Sequence, residues 1–529
     1  MHRTLRPLIP LSFALLLGAT SVYAQTPASL APASPALAPA APDPSPAAHA
    51  DRLERLRALT IDHGTLTLVQ RDDSPELKIG DKVVSSKLPP RTIVKVVLRP
   101  ATGSTINVEL WLPDAANWNA RFLALGNGGA AGRINSGGLA GPLASGYAVA
   151  TTDMGTAPNA DSGVNNPEVW KDFGFRATHL MTVAAKQIIT AHYGKAPDYS
   201  YFSGGSTGGQ QALQEAQRYP EDYDGIIAAI PAHCRTPLHA YFLWNDQILK
   251  KYPFTPAQEA AVIAAGNDYL ASRETPPVAG KFISDPRPTN QDIEAVIVLA
   301  MKKDPTLTSA HAGALRLLFD GPKHTVTGAR IFNGIPFGSS LSLAHSHLYL
   351  FKWVFGPDKP LDQINFGADI DTYTAALGPY LNAENPDLGA FEKRGGKLLM
   401  TSGSADSIVP YHATLDYYER VIEHTGSLEK TKAFFRFYII PGMAHSGGPG
   451  INQPPALLDV LRTWREQGTA PEKLTGRRVV DGKVELEMPL YPYPTQTGWD
   501  PATSAFKPVN GPRGGVERVA PAFRPAAAE

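Results

Sequence analysis

The sequence predicts an α/β fold in which a mostly parallel sheet, covered by helices, is interrupted once by a large inserted segment. Three observations carry that prediction. Apolar strand-like runs at 122–125, 147–152, 199–203 and 226–230 alternate with amphipathic helical stretches at 177–193 and 207–219, and strands that are apolar throughout belong to sheets buried on both faces. The rhythm stops near His233 and resumes at 395–401, followed by a helix at 414–424, a strand at 434–440 and a helix at 455–467. Between these halves, 233–384 is helical, aromatic and punctuated by proline, without strand-helix alternation.

Each segment has its own rationale. Arg3 and Arg6, an apolar stretch at 8–19 and the small residue ending Val22-Tyr23-Ala24 predict an export signal over 1–24. The apolar stretch is shorter than the roughly 20 residues a bilayer span needs, so a soluble periplasmic or secreted protein, with no membrane partner, is expected. Residues 25–50 are nearly all Ala, Pro and Ser and read as a linker. Residues 51–232 and 385–529 are assigned to one catalytic domain, opened by antiparallel-type strands at 92–98 and 106–112. Residues 233–384 are assigned to an inserted domain.

Composition excludes several classes of function. The 529 residues include 49 basic and 49 acidic side chains, a formal charge of zero, which leaves no electrostatic footprint for nucleic acid. A hydrophobic content of 43% supports large cores, and 47 glycines with 48 prolines favour loops over a helical bundle. The lone cysteine, Cys234, excludes an intrachain disulfide and a cysteine-based zinc site. It has no motif around it and is read as a packed thiol.

Gly204-Gly205-Ser206-Thr207-Gly208 fits G-x-S-x-G, a strand-to-helix turn that exposes a serine hydroxyl. The five letters alone are weak evidence; their place between a predicted strand and a predicted helix strengthens them. A serine nucleophile needs a base, and the base needs an orienting acid. Asp406 and His445 each follow a predicted strand, on the rim that carries Ser206. The alternatives are a turn or cap role for Asp406, an ordinary histidine at 445 and a loop serine at 206. Backbone N–H groups of Thr207 and of Gly128 or Gly129 are the expected oxyanion donors, against the alternative of a plain glycine turn.

Asp172-Phe-Gly-Phe-Arg-Ala-Thr-His179 and Tyr199-Ser-Tyr-Phe-Ser-Gly-Gly-Ser-Thr-Gly-Gly-Gln210, in that order, resemble the tannase and feruloyl esterase family of α/β-hydrolases. So do Trp118-Asn119 before Gly126-Asn-Gly-Gly129, the Asp406 loop, Pro441-Gly-Met-Ala-His445 and Pro489-Leu-Tyr-Pro-Tyr-Pro494. The resemblance spans roughly 103–494. It implies hydrolysis of small aromatic carboxylic esters, such as galloyl or feruloyl esters, with Ser206, Asp406 and His445 as triad and the insert as a lid. Terephthalate half-esters and other aryl esters are the close alternative. A non-catalytic binding protein, and a peptidase or acyltransferase with the same triad, are the competing readings.

Two departures from the family pattern stand out. Members usually carry cysteines immediately before the nucleophile and after the catalytic histidine, joined as a disulfide; here those positions are Gly205 and Ser446. The missing bridge forgoes about 2–5 kcal/mol of stability. The family lid commonly binds calcium through an Asp-rich loop. The corresponding stretch, 267–285, has only two aspartates, Asp268 and Asp285, and no D-x-x-D-G series, short of the roughly six to eight oxygen ligands that ion takes, so no metal or other cofactor is expected. Within the insert, Trp244, Phe332, Trp353 and Phe355 are candidate substrate contacts, with lid core as the alternative. Arg330 and Lys352 are candidate partners of a substrate carboxylate, with solvation as the default.

Overall fold

The computed structural model describes residues 46–273, 290–341, 345–448, 450–511, 513 and 514. The export signal, most of the linker and part of the 267–285 stretch lie outside these residues. Helix α1 (Pro46–Arg57) leads into strand β1 (Gly64–Asp72), a small hairpin of β2 (Leu77–Ile79) and β3 (Lys82–Ser85), and strands β4 (Arg91–Leu98) and β5 (Ile106–Pro113). The alternating units follow: β6 (Arg121–Leu125), α2 (Ser136–Ala144), β7 (Ala148–Thr152), α3 (Pro167–Lys171), α4 (Ala177–Tyr193), β8 (Tyr199–Gly205), α5 (Thr207–Arg218) and β9 (Gly225–Ala229).

Next comes the insert, built in its described residues from α6 (Arg235–Lys251), α7 (Pro256–Arg273), α8 (Asn290–Lys303), α9 (Ser309–Asp320), α10 (Tyr349–Phe355) and α11 (Ala368–Leu381). After the short α12 (Gly389–Lys393), the core resumes with β10 (Lys397–Gly403), α13 (Tyr411–Thr425), α14 (Leu428–Lys432), β11 (Phe435–Ile440) and α15 (Leu457–Gln467). Two hairpins close the chain, β12 (Leu474–Val480) with β13 (Lys483–Leu490) and β14 (Thr495–Asp500) with β15 (Ala505–Asn510).

One nine-stranded sheet has the order β1-β4-β5-β7-β6-β8-β9-β10-β11. From β7 to β11 along that order every pairing is parallel, whereas β1, β4 and β5 pair antiparallel at the other side. Buried strands alternate their side chains between two cores, as a period of two requires. Phe122, Phe202, Ile226, Leu398 and Phe437 share one core with Met181, Ile188, Leu213 and Leu415 of α4, α5 and α13. Leu123, Tyr201, Ile227, Leu399 and Tyr438 share the opposite core with Leu457, Leu461 and Trp464 of α15. The chain therefore has the α/β-hydrolase type of core that its sequence pattern implies.

The segment between β9 and β10 packs around a further apolar cluster, which also takes in Met154, Val169 and Phe173 from the chain before it and Val409 and Ala413 from the chain after it. Leu238, Phe242, Leu315, Phe332, Leu350 and Trp353 are buried there together. It leaves the sheet after β9 and returns before β10, which are neighbours in the sheet. Its interruption of the sheet order is thus spatially small.

Candidate active site

The strand β8 to α5 junction sets Ser206 at φ 59° and ψ −117°, a strained region for a side-chain-bearing residue that costs on the order of 1–3 kcal/mol. The surrounding backbone enforces the turn: Ser206 N–H donates to Ala229 O at 3.0 Å, and Gly208 N–H donates to Asn127 O at 2.7 Å. Glycine is required here by close approach, because a Cβ on Gly126 would stand 2.6 Å from Gly208 Cα and one on Gly204 would overlap the Gly208 carbonyl.

Asp406 and His445 reach the same rim from loops that follow β10 and β11. These loops interlock. Ala405 N–H donates to Met443 O at 3.1 Å and Gly442 N–H to Ser404 Oγ at 2.7 Å. Asp406 is fully buried, and its Oδ1 accepts the N–H groups of Ile408 and Val409 at 2.9 and 2.8 Å. Its Oδ2 lies 2.8 Å from His445 Nδ1, and His445 Nε2 lies 3.2 Å from Ser206 Oγ. Burial works against a charged ring at His445, but the Asp406 charge and hydrogen bond outweigh it and hold the pKa above the usual histidine value.

The loop after β6 lies against the first turn of α5. Asn127 N–H donates to Gln211 Oε1 at 2.8 Å, and Thr207 Oγ1 donates to Gly129 O at 2.7 Å. These bonds use side chains and carbonyls. Among the described residues, the backbone N–H groups of Thr207, Gly128 and Gly129 donate to no protein acceptor. A Cβ at Gly128 would meet nothing within 4 Å. This arrangement can bring a general base, an exposed hydroxyl and unused amide donors to one reacting carbonyl.

The aromatic candidates in the insert are placed differently. Phe332 and Trp353 have no solvent exposure; the Trp353 indole donates to Ala160 O at 2.6 Å and packs edge-on against Phe173. Trp244 donates to Leu317 O at 3.0 Å and packs against Phe366, and Phe355 lies under the Lys359 ammonium. Among the described residues no hydrogen bond or ring contact joins any of the four to Ser206 or His445; Trp353 packs at the seam with the 160–173 segment of the catalytic domain, and the other three pack within the insert. Arg330 pairs with Asp320 at 2.9 Å, and Lys352 is exposed on α10. Cys234 is buried, and burial pushes its thiol pKa up, which disfavours the thiolate a cysteine nucleophile needs.

Two groups of ligand-type atoms lie within 4.8 Å of one another, His233-Cys234-Glu384 and His179-Glu215-Asp222. Glu384 is engaged by Arg420 at 3.1 Å and His179 by Asp222 at 2.6 Å. Asp268, in the stretch that corresponds to the family's calcium loop, pairs with Lys303 at 2.7 Å.

Two residues near the site carry no sequence signal that marks them. Arg235 and Tyr349 meet behind Gly129, 114 positions apart in the chain, and neither stands in a recognisable motif. The only available hint is that Arg235 follows a predicted strand end on the catalytic rim.

Comparison with known proteins gives a consistent picture. The family model described as tannase and feruloyl esterase matches residues 92–357 and 351–510. An uncharacterised esterase of Xanthomonas campestris is 29% identical, covering 89% of this chain and 93% of its own length. A probable feruloyl esterase of Arthroderma benhamiae is 30% identical, covering 69% and 74%. The crystal structure of feruloyl esterase B from Aspergillus oryzae superposes with a TM-score of 0.74 at 23% identity, covering 87% of this chain and 99% of that one. The tannin acyl hydrolase from Aspergillus niger gives 0.72 at 18%, covering 87% and 95%. At these identities the two structures speak for the fold.

Proposed function

The chain belongs to the tannase and feruloyl esterase family of carboxylic ester hydrolases, and from that premise we propose an exported serine esterase that acts on esters of aromatic, phenolic carboxylic acids through an acyl-enzyme. The observation that carries the serine mechanism is the continuous hydrogen-bond chain from Asp406 through His445 to Ser206. In this reading His445 Nε2 takes the Ser206 proton as Oγ attacks the ester carbonyl carbon. Asp406 fixes the imidazole tautomer and stabilises its charge. The N–H of Thr207 and that of Gly128 or Gly129 hold the developing oxyanion. The tetrahedral intermediate collapses, and the alcohol leaves with the proton from His445. Water then attacks the acyl carbon by the same route, releasing the acid and restoring Ser206.

The aromatic acyl preference is supported by its relatives, a probable feruloyl esterase, a feruloyl esterase B and a tannin acyl hydrolase. A lid role for the insert is supported by its position between β9 and β10 and by the Tyr241 hydroxyl, which donates to Ser407 O at 2.7 Å beside the acid. Export is supported by the 1–24 pattern; no helix among the described residues is long and apolar enough to cross a membrane.

The test is a panel of methyl ferulate, methyl gallate, a terephthalate monoester and short-chain aryl esters, ranked by kcat/KM. A phenolic ester is expected to lead, and Ser206→Ala is expected to lose both turnover and fluorophosphonate labelling while remaining folded. Wild-type turnover in that variant removes Ser206 from the mechanism. A folded wild type inert to the whole panel turns the assignment towards a binding protein.

A further inference from the structure

Arg235 opens α6, the first helix of the insert, yet two of the three hydrogen bonds of its guanidinium go to the catalytic core. Only 2% of the residue is exposed. Nη1 donates to Thr207 Oγ1 at 3.0 Å, and Nη2 donates to Gly129 O at 3.1 Å and to the Tyr349 hydroxyl at 2.7 Å. Thr207 Oγ1 donates its own hydrogen bond to the same Gly129 carbonyl at 2.7 Å. The guanidinium lies over Phe173, 5.2 Å from the ring centroid, within the Asp172–His179 motif that the catalytic steps leave unused.

Two features of this arrangement are unusual. The fork ties together the two backbone stretches that supply the amide donors, the residue after Ser206 and the loop after β6. Gly129 holds φ +57°, and its carbonyl, which accepts from Thr207 Oγ1, from Arg235 Nη2 and, at 3.5 Å, from the Tyr349 hydroxyl, is held so that its peptide plane is fixed. In addition, the acceptors of this buried cation are all neutral: a hydroxyl, a phenol and a carbonyl. Among the described residues no carboxylate pairs with it. A buried charge without a counterion is expensive in the resting protein, and the ring and dipoles around it offset that cost only in part. A negative charge developing at the Thr207 and Gly128 or Gly129 amides would supply the missing counter-charge, and only as the reaction proceeds.

We propose that Arg235 is a positioning residue for the oxyanion hole: its fork sets the relative placement of Thr207 and the 126–129 loop, and its uncompensated charge favours the tetrahedral anion over the bound ester. Interactions stronger in the transition state than in the ground state appear in kcat rather than in KM. The role rests on the serine esterase reading above.

The test compares wild type, Arg235→Met and Arg235→Lys with methyl ferulate as substrate, phenylboronic acid as a tetrahedral anionic adduct of Ser206, and ferulate as a ground-state ligand. For a folded Arg235→Met, kcat is expected to fall on the order of 10²-fold, as when one oxyanion contact is lost, with KM and ferulate affinity within about threefold. Phenylboronic acid is expected to weaken in step with kcat, and Arg235→Lys to recover part of both. A folded Met variant with wild-type kcat overturns the proposal. So does a loss carried by KM alone, or a kcat loss with unchanged boronate affinity. If the Met variant does not fold, the Lys variant decides, because wild-type kcat without the fork is incompatible with the role. A wild type inert to esters defeats the esterase reading first; an active wild type matched by its Met variant defeats only this inference.

Discussion

Ala405 donates its backbone N–H to the carbonyl of Met443 at 3.1 Å, so the loop that carries the acid and the loop that carries the base are tied one residue before Asp406 and two before His445. Their separation is therefore set by main chain, ahead of any side-chain rotamer. A Cβ placed on Gly403 would overlap that Met443 carbonyl.

The tie predicts a distinctive variant. Gly403→Ala must push the His445 loop away from Asp406. Stability is expected to fall by about 1–3 kcal/mol, as for overpacked sites, together with kcat at least tenfold. Urea unfolding and steady-state kinetics check both, and a variant that loses stability alone would show that the loops separate without moving the imidazole.

The pH profile follows from His445. Its pKa is held above the ordinary value of 6.5, and the base must be neutral to take a proton. Activity is therefore expected to be lost as pH falls through that raised pKa, giving kcat/KM an acid limb centred above 6.5. Asp406→Asn removes the charge responsible; the limb should move down and kcat should drop by about 10²–10⁴-fold. An unmoved limb would assign it to another group.

A stability prediction comes from Glu215, fully buried beside Asp222. Burial first, then the Asp222 charge, pushes its pKa well up. A folded-state pKa above the unfolded one makes the contribution to stability fullest below the unfolded value near 4.5, and lost as pH rises towards the folded value. Glu215→Gln, which stays neutral, should therefore be more stable than wild type at pH 8, with the advantage shrinking towards pH 4.5. Denaturant melts at the two pH values test this; an advantage that grows at low pH would contradict the sign.

The missing family disulfide is testable by restoring it. A Cβ at Gly205 would meet nothing closer than 3.6 Å, and Ser446 is exposed on the turn beside His445. Gly205→Cys with Ser446→Cys is expected to form a bridge that adds about 2–4 kcal/mol under oxidising conditions and to lose the gain on reduction. Equal melting temperatures with and without reductant would show that the two positions are not in bridging geometry here.

The parallel strands and the three side chains at their ends were legible because each signal is local: apolar five-residue runs, a glycine-flanked serine, an acid and a histidine just past strand ends. β8 and α5 lie within two residues of their expected limits. The insert was less legible. Its helices are apolar on several faces because they bury one another, so aromatic residues such as Phe332 and Trp353 carry no mark in the sequence that separates core from binding wall. The meeting of Arg235, Tyr349 and Gly129 depends on three segments brought together only by the tertiary fold. The hairpin β12-β13, with Val479 and Val484 exposed, lacks the burial pattern that makes a strand stand out.

The adjacency of β9 and β10 has a bearing on how such proteins diversify. Neighbouring strands run about 4.8 Å apart, so the two stems of the insert are fastened like the ends of a handle on a rigid plate. Evolution can lengthen, shorten or reshape what hangs between those stems while the plate keeps its register. The freedom is not complete, because Arg235, which opens the first helix of the handle, reaches back to grip the plate at Gly129; lineages that remodel this region must keep that grip or find another way to hold the loop.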